Sequence, residues 1–60
     1  MVTCIIVDDE PLALQVLESH IRQKKELQLV KKCANTLEAF DILSREKIDL
    51  MFLDIKLPTV

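Results

Sequence analysis

Cys4-Ile5-Ile6-Val7-Asp8-Asp9-Glu10-Pro11 is the stretch that decides the fold. A short, β-branched apolar run stops abruptly at three acids and then a proline. A strand buried on both faces of a parallel sheet reads this way, whereas a half-exposed strand alternates. Pro11 suits the first turn of a helix, and acids just before it suit the positive end of the helix dipole. From Leu12 to about Gln23 the spacing predicts an amphipathic helix. Leu14, Leu17 and Ile21 fall at i, i+3 and i+7, Ala13 and Val16 widen the stripe, and Gln15, Glu18 and Arg22 take the other side.

Farther along, Leu27 to Ala34 carries Leu27, Leu29, Val30, Cys33 and Ala34 around Lys31-Lys32, which suits an edge strand protected by charge. Asn35-Thr36-Leu37-Glu38 has the form of a capping box, a helix-starting residue with a Glu three positions on. Leu37, Phe40 and Leu43 are expected to form the apolar face of the second helix, ending near Arg45-Glu46-Lys47. Leu50-Met51-Phe52-Leu53 is a second fully apolar run, again ending in a carboxylate, Asp54, and Pro58 ends regular structure beyond it. The order is β-α-β-α-β, with parallel strands joined by right-handed helical crossovers.

Composition sets the limits. The chain has 60 residues, 50% of them hydrophobic and 30% charged, with no Gly, two Pro, two Cys and one His. A domain of this length buries only about 60% of its unfolded surface, so a solitary fold is marginal. Two cysteines and one histidine supply neither a disulfide framework nor a structural metal. Half the residues being apolar excludes disorder, while the absence of Gly is unusual for a complete domain with its own turns and caps. The net charge of −2 argues against nucleic-acid binding by these residues; Lys24-Lys25 and Lys31-Lys32 read as solvated surface. No run is long enough to span a membrane, and the N-terminus lacks the pattern of a signal peptide. A cytoplasmic location is expected. Cys4 and Cys33 are expected in adjacent strands, offset too far to bridge, and read as buried free thiols. His20 reads as a partly buried or flanking residue of the first helix rather than a ligand or phosphohistidine.

The acids carry the chemistry. In an open α/β sheet, ligands bind beyond the carboxyl ends of the strands, where strand order reverses. Asp8 and Asp9 end the first strand and Asp54 ends the third. If those strands are neighbours they lie about 4.8 Å apart, and the carboxylates converge on one crevice. Like charges so close need a cation, and a hard divalent ion such as Mg²⁺ matches oxygen ligands. Such an ion also neutralises a phosphoryl group in transfer, with Asp54 as a candidate nucleophile able to form an acyl phosphate. Taken singly, Asp8, Asp9 and Glu10 also read as helix-start residues, and Asp54 as a turn former.

Ile5-Ile6-Val7-Asp8-Asp9-Glu10-Pro11 and Leu53-Asp54-Ile55-Lys56-Leu57-Pro58 together resemble the two N-terminal signatures of response-regulator receiver domains. Asp8-Asp9-Glu10-Pro11-Leu12-Ala13 is most similar to receivers of LytTR-type transcriptional regulators. The resemblance implies a flavodoxin-like doubly wound parallel sheet with strand order 2-1-3, residues 1–60 being the first half of such a domain. It implies Asp54 as phosphoacceptor and as a Mg²⁺ ligand, Asp9 as a direct Mg²⁺ ligand, Asp8 assisting through water or by supporting Asp9, and the Lys56 backbone carbonyl as the third protein ligand. A sensor histidine kinase is the implied phosphoryl donor, and DNA binding would belong to a domain outside these residues.

The hydroxyl, lysine and aromatic residues that receivers carry on later strands have no counterpart in this stretch. The sixty residues alone are therefore expected not to signal, and the apolar Leu50–Leu53 edge is expected to self-associate. Two other functions fit these residues less well. A haloacid dehalogenase-type phosphatase wants Asp-x-Asp after the first strand, which Asp8-Asp9-Glu10 does not provide. A non-catalytic pseudo-receiver or assembly module would not need the acids this stretch retains.

Overall fold

The computed structural model describes residues 1–53. Cys4, Ile5, Ile6 and Val7 are all buried, as a strand covered on both faces requires. They belong to β1 (Val2–Val7), the middle strand of a parallel three-stranded sheet of order β2-β1-β3. Around it the chain runs α1 (Pro11–Arg22), β2 (Leu27–Cys33), α2 (Thr36–Arg45) and β3 (Leu50–Leu53). The β-α-β-α-β order and the 2-1-3 arrangement are those expected above.

Successive β1 side chains feed two separate cores. Cys4 and Ile6 pack with Ile21, Leu14, Leu17, Leu27 and Leu29 beneath α1. Ile5 and Val7 pack with Cys33, Ala39, Ile42, Val30 and Ile48 beneath α2. The two helices therefore cover opposite faces of one strand.

β2 changes phase partway along. Cys4 pairs with Leu29, but Ile5 pairs with Lys31, so Val30 is an extra residue, a bulge. Side chains alternate faces with a period of two, so one extra residue swaps every later one. Lys32 consequently reaches the α1 side, where its Nζ lies 3.1 Å from Glu18 Oε1. Cys33 turns into the α2-side core. Cys4 and Cys33 are both buried and free. They serve opposite faces, with Cys33 level with Val7, which is a stronger bar to bridging than the expected offset alone.

The helices correct two expectations. In α1 the stripe of Leu14, Leu17 and Ile21 faces the sheet, but Val16 is 56% exposed. Two residues from Leu14 is about 200° around a helix, which turns Val16 to solvent. His20 is exposed as well, a flanking residue. In α2 the expected face of Leu37, Phe40 and Leu43 is not the buried one: Leu37 and Phe40 are 77% and 65% exposed, and Ala39 and Ile42 meet the sheet instead. Glu38 N–H donates to Asn35 Oδ1 at 2.9 Å, the expected capping box.

At the amino end of the sheet, Thr3 clamps the entry to β3. Its N–H donates to Asp49 Oδ2 at 3.1 Å. Its hydroxyl lies 3.1 Å from both Asp49 Oδ2 and the Lys47 carbonyl, and donates to one of them at a time. These bonds, the backbone one first, hold the Asp49 carboxyl below the usual carboxylate range. β3 itself is the sheet's second edge, and Leu50, Met51, Phe52 and Leu53 are each partly open to solvent, the apolar edge that was expected.

Ile6→Ala is expected to cost about 2–5 kcal/mol in urea unfolding, and Val16→Ala less than about 0.5 kcal/mol; equal losses would contradict the two-faced burial. The Asp49 clamp adds a pH dependence of defined sign. A carboxyl held low contributes stability above its unfolded value, near 3.8, and loses that contribution as pH falls through the lower folded value. The stability gap between wild type and Asp49→Asn should therefore begin to narrow as pH falls through the unfolded value and close only below the lower folded one. A gap that widens in acid would refute the clamp.

Candidate functional site

β1 is central because α1 carries the chain from it to β2 on one side, and α2 then returns it to β3 on the other. The two helical connections leave the sheet on opposite faces, α1 from the carboxyl end of β1 and α2 from that of β2. Such a divergence opens a crevice outside the strand ends. Here the crevice has a volume of ≈ 220 Å³ and is lined by Val7, Asp8, Asp9, Ala34, Asn35, Thr36 and Leu53. A larger groove of ≈ 400 Å³ runs beside it under α1, lined by Asp8, Ala13, Leu17, Phe52 and Leu53. Asp8 lines both spaces, but Asp9 lines the smaller one, so the two acids meet there.

Asp8 and Asp9 reach the crevice in different ways. Asp8 is 4% exposed, the one buried polar or charged residue among the described residues. Its Oδ1 accepts the Glu10 N–H at 2.9 Å, closing a local turn that an aspartate makes readily. Its own N–H donates to the Cys33 carbonyl at 3.0 Å, which ties the end of β1 to the end of β2. Asp9 is exposed to solvent. Glu10 then caps α1 through its backbone: its carbonyl accepts the Leu14 N–H at 3.1 Å, and Pro11 takes the first helical position. The acids do not enter the first turn of α1; they end at its cap.

The opposite wall is the corner between β2 and α2. Ala34 N–H donates to Glu38 Oε2 at 2.6 Å, so the returning arm of the capping box reaches one residue farther back than the cap itself. Sequence reading had no means to assign that bond, although Glu38 at the third helical position was its signal. It also missed Thr36 as a lining residue and the Val30 bulge that turns Cys33 away from the α1 side. Burial pushes the Cys33 thiol up from its ordinary value, opposed by Lys31 and aided by Glu38; burial alone pushes up Cys4. Both are thereby kept as inert thiols. On α1, hydrogen bonds from Arg22 and then Lys32 hold the Glu18 carboxyl below its usual range, an exposed network apart from the crevice.

Of the expected site residues, the structure brings Asp8 and Asp9 together at one crevice. Asp54 and Lys56 lie outside the described residues. Among the described residues no three His, Cys, Asp or Glu side chains are grouped so as to hold a metal ion. The carboxylates that Asp8 and Asp9 offer are hard oxygen donors, with no cysteine or histidine lining the space, a donor chemistry that fits a Mg²⁺-class cation rather than a soft metal. No helix among the described residues is long and apolar enough to cross a membrane.

Comparison with known proteins agrees with this geometry. The response regulator receiver domain family matches residues 4–60. An uncharacterized response regulatory protein of Shewanella oneidensis is 38% identical over all 60 residues. The transcriptional regulatory protein BtsR is 33% identical over the same length in Escherichia coli and 37% in Salmonella typhi. In each case the whole chain is covered but only 25% of the relative, so the chain spans about a quarter of the curated relatives it matches. No solved structure matches it. With the strand order, the paired acids at the switch point and a match over nearly every residue, the chain belongs to the response regulator receiver domain family.

Proposed function

We propose that this chain supplies the metal-binding and phosphoacceptor part of a receiver, in which Asp54 takes a phosphoryl group from a sensor histidine kinase. The observation that carries the reading is the crevice itself. Asp8 and Asp9 stand at the end of the central strand, and the β3 residue beside them, Leu53, is the one before Asp54 in the chain.

An Asp54 carboxylate oxygen attacks phosphorus and forms a P–O bond as the P–N bond of the donor phosphohistidine breaks. The imidazole nitrogen regains a proton, and Asp54 becomes an acyl phosphate. Asp9, exposed in the crevice, ligates the cation directly. Asp8, buried and bonded to its own turn, orients Asp9 and contributes through water, and the Asp54 carboxylate and the Lys56 carbonyl complete the protein ligands. When bound, Mg²⁺ neutralises charge on the transferring group. The relatives called transcriptional regulatory proteins support an output in transcription. We assign that output to a LytTR-type DNA-binding domain outside these residues, in a cytoplasmic protein. The retained acids speak against a pseudo-receiver.

At the full length its reading frame encodes, the protein is expected to take up one phosphoryl group per chain from a small acyl-phosphate donor with Mg²⁺. Asp54→Asn should abolish the uptake and Asp9→Asn should raise the Mg²⁺ requirement. Uptake that survives Asp54→Asn, or proceeds equally well without divalent cation, sinks the proposal. The sixty residues alone, lacking partners for the phosphoryl oxygens, should not reach stoichiometric modification.

For those sixty residues we also infer self-association through the open edge of β3, two copies pairing their Leu50–Leu53 strands antiparallel about a two-fold axis. Sedimentation should show a dimer or larger species, shifted toward monomer by Met51→Lys. A monodisperse, cooperatively melting monomer contradicts this.

A further inference from the structure

One peptide unit joins the acidic crevice to the first turn of α2. The carbonyl of the Cys33–Ala34 peptide accepts the Asp8 N–H at 3.0 Å, while the N–H of the same peptide donates to Glu38 Oε2 at 2.6 Å. Glu38 is itself held, its N–H on Asn35 Oδ1 at 2.9 Å, and α2 is anchored below by buried Ala39 and Ile42. Bonds in such a chain polarise one another: a carboxylate on the N–H makes the carbonyl across the peptide a stronger acceptor. Side chains that hold metal ligands affect metal affinity without touching the ion.

We propose that Glu38 is a positioning residue for the acidic crevice, fixing the Asp8 backbone through the Cys33–Ala34 peptide. This rests on the receiver reading only for its effect on the cation. The effect on Asp8 stands without it. Three features make Glu38 suited to the role: its place in the first turn of a helix packed on the sheet, its charge, and a reach that skips the cap residue and lands on Ala34. Deleting its carboxylate frees the Ala34 N–H and weakens the bond that holds Asp8 level with the end of β2.

The test uses the protein at the full length its reading frame encodes. In metal-free protein, Glu38→Ala should move the amide proton resonances of both Ala34 and Asp8 upfield. Glu38→Gln, which keeps an oxygen acceptor and loses the charge, should move both part of the way. In Mg²⁺ titrations Glu38→Ala should weaken affinity about 10-fold, with Glu38→Gln restoring most of it. Ser44→Gly weakens α2 through helix propensity and loss of the Ser44 Oγ bond to the Asp41 carbonyl, away from Glu38, and should leave both the Asp8 amide and the Mg²⁺ affinity as in wild type.

An Asp8 amide unmoved by either Glu38 variant overturns the proposal, as does an equal loss of affinity in Ser44→Gly. Should Glu38→Ala not fold, Glu38→Gln still decides it. Failure of the wild type to bind Mg²⁺ counts against the receiver reading instead, because the amide measurement needs no metal.

Discussion

Burial of β1 on both faces is the constraint from which the rest follows. A strand with Cys4, Ile5, Ile6 and Val7 all enclosed must have a helix on each side and a neighbour on each edge. Here α1 lies beneath one face, α2 beneath the other, and β2 and β3 flank it. The divergence of the two connections at the carboxyl end is then a consequence of topology. So is the placement of acids there, because the strand must end in residues that tolerate the space its helices leave. Core and site are two ends of one element.

The bulge at Val30 refines that arrangement. Without it, residues after Leu29 would keep the earlier alternation, and Cys33 would point beneath α1. With it, Lys32 meets Glu18 on the α1 side and Cys33 fills the core beneath α2. The same phase brings the Cys33 carbonyl level with the Asp8 N–H. An extra residue halfway along β2 thus sets the geometry of a crevice at its end, transmitted by the period-two alternation of the strand.

How much of this could be read from the residues follows from the range of each interaction. The strands and helix starts were legible because they depend on local runs: Cys4–Val7, Pro11 after the acids, Asn35 with Glu38. Strand order came with the receiver resemblance, not from periodicity. The faces of α2 were misread because Leu37, Phe40 and Leu43 form a valid helical row. Which of several rows is buried depends on the size of what meets the sheet, and Ala39 with Ile42 fits closely against Ile5, Val7 and Cys33. The bulge leaves no local pattern at all, since it exists only when β1 and β2 are already in register, whereas the Glu38-to-Ala34 bond had Glu38 as its signal and only its acceptor's reach past the cap was illegible. In the site, Asp8 and Asp9 were legible as acids at a strand end. Their different burial was not, because it depends on the turn that Asp8 closes with Glu10.

That difference bears on how adjacent carboxylates divide work. Two equivalent, solvent-facing acids would compete for one cation and repel each other. Here Asp8 is enclosed, its carboxylate turned back onto the Glu10 amide and its backbone bonded to Cys33, whereas Asp9 opens to solvent. The two acids therefore stand in different surroundings, one enclosed and one open to solvent. The cost of burying the first carboxylate is offset partly by the turn it closes on the Glu10 amide. On the receiver reading proposed above, the solvent-facing acid is the one a cation reaches directly, and the enclosed acid adds its charge from behind. That division follows from the packing of β1, which encloses Asp8, rather than from the acids alone.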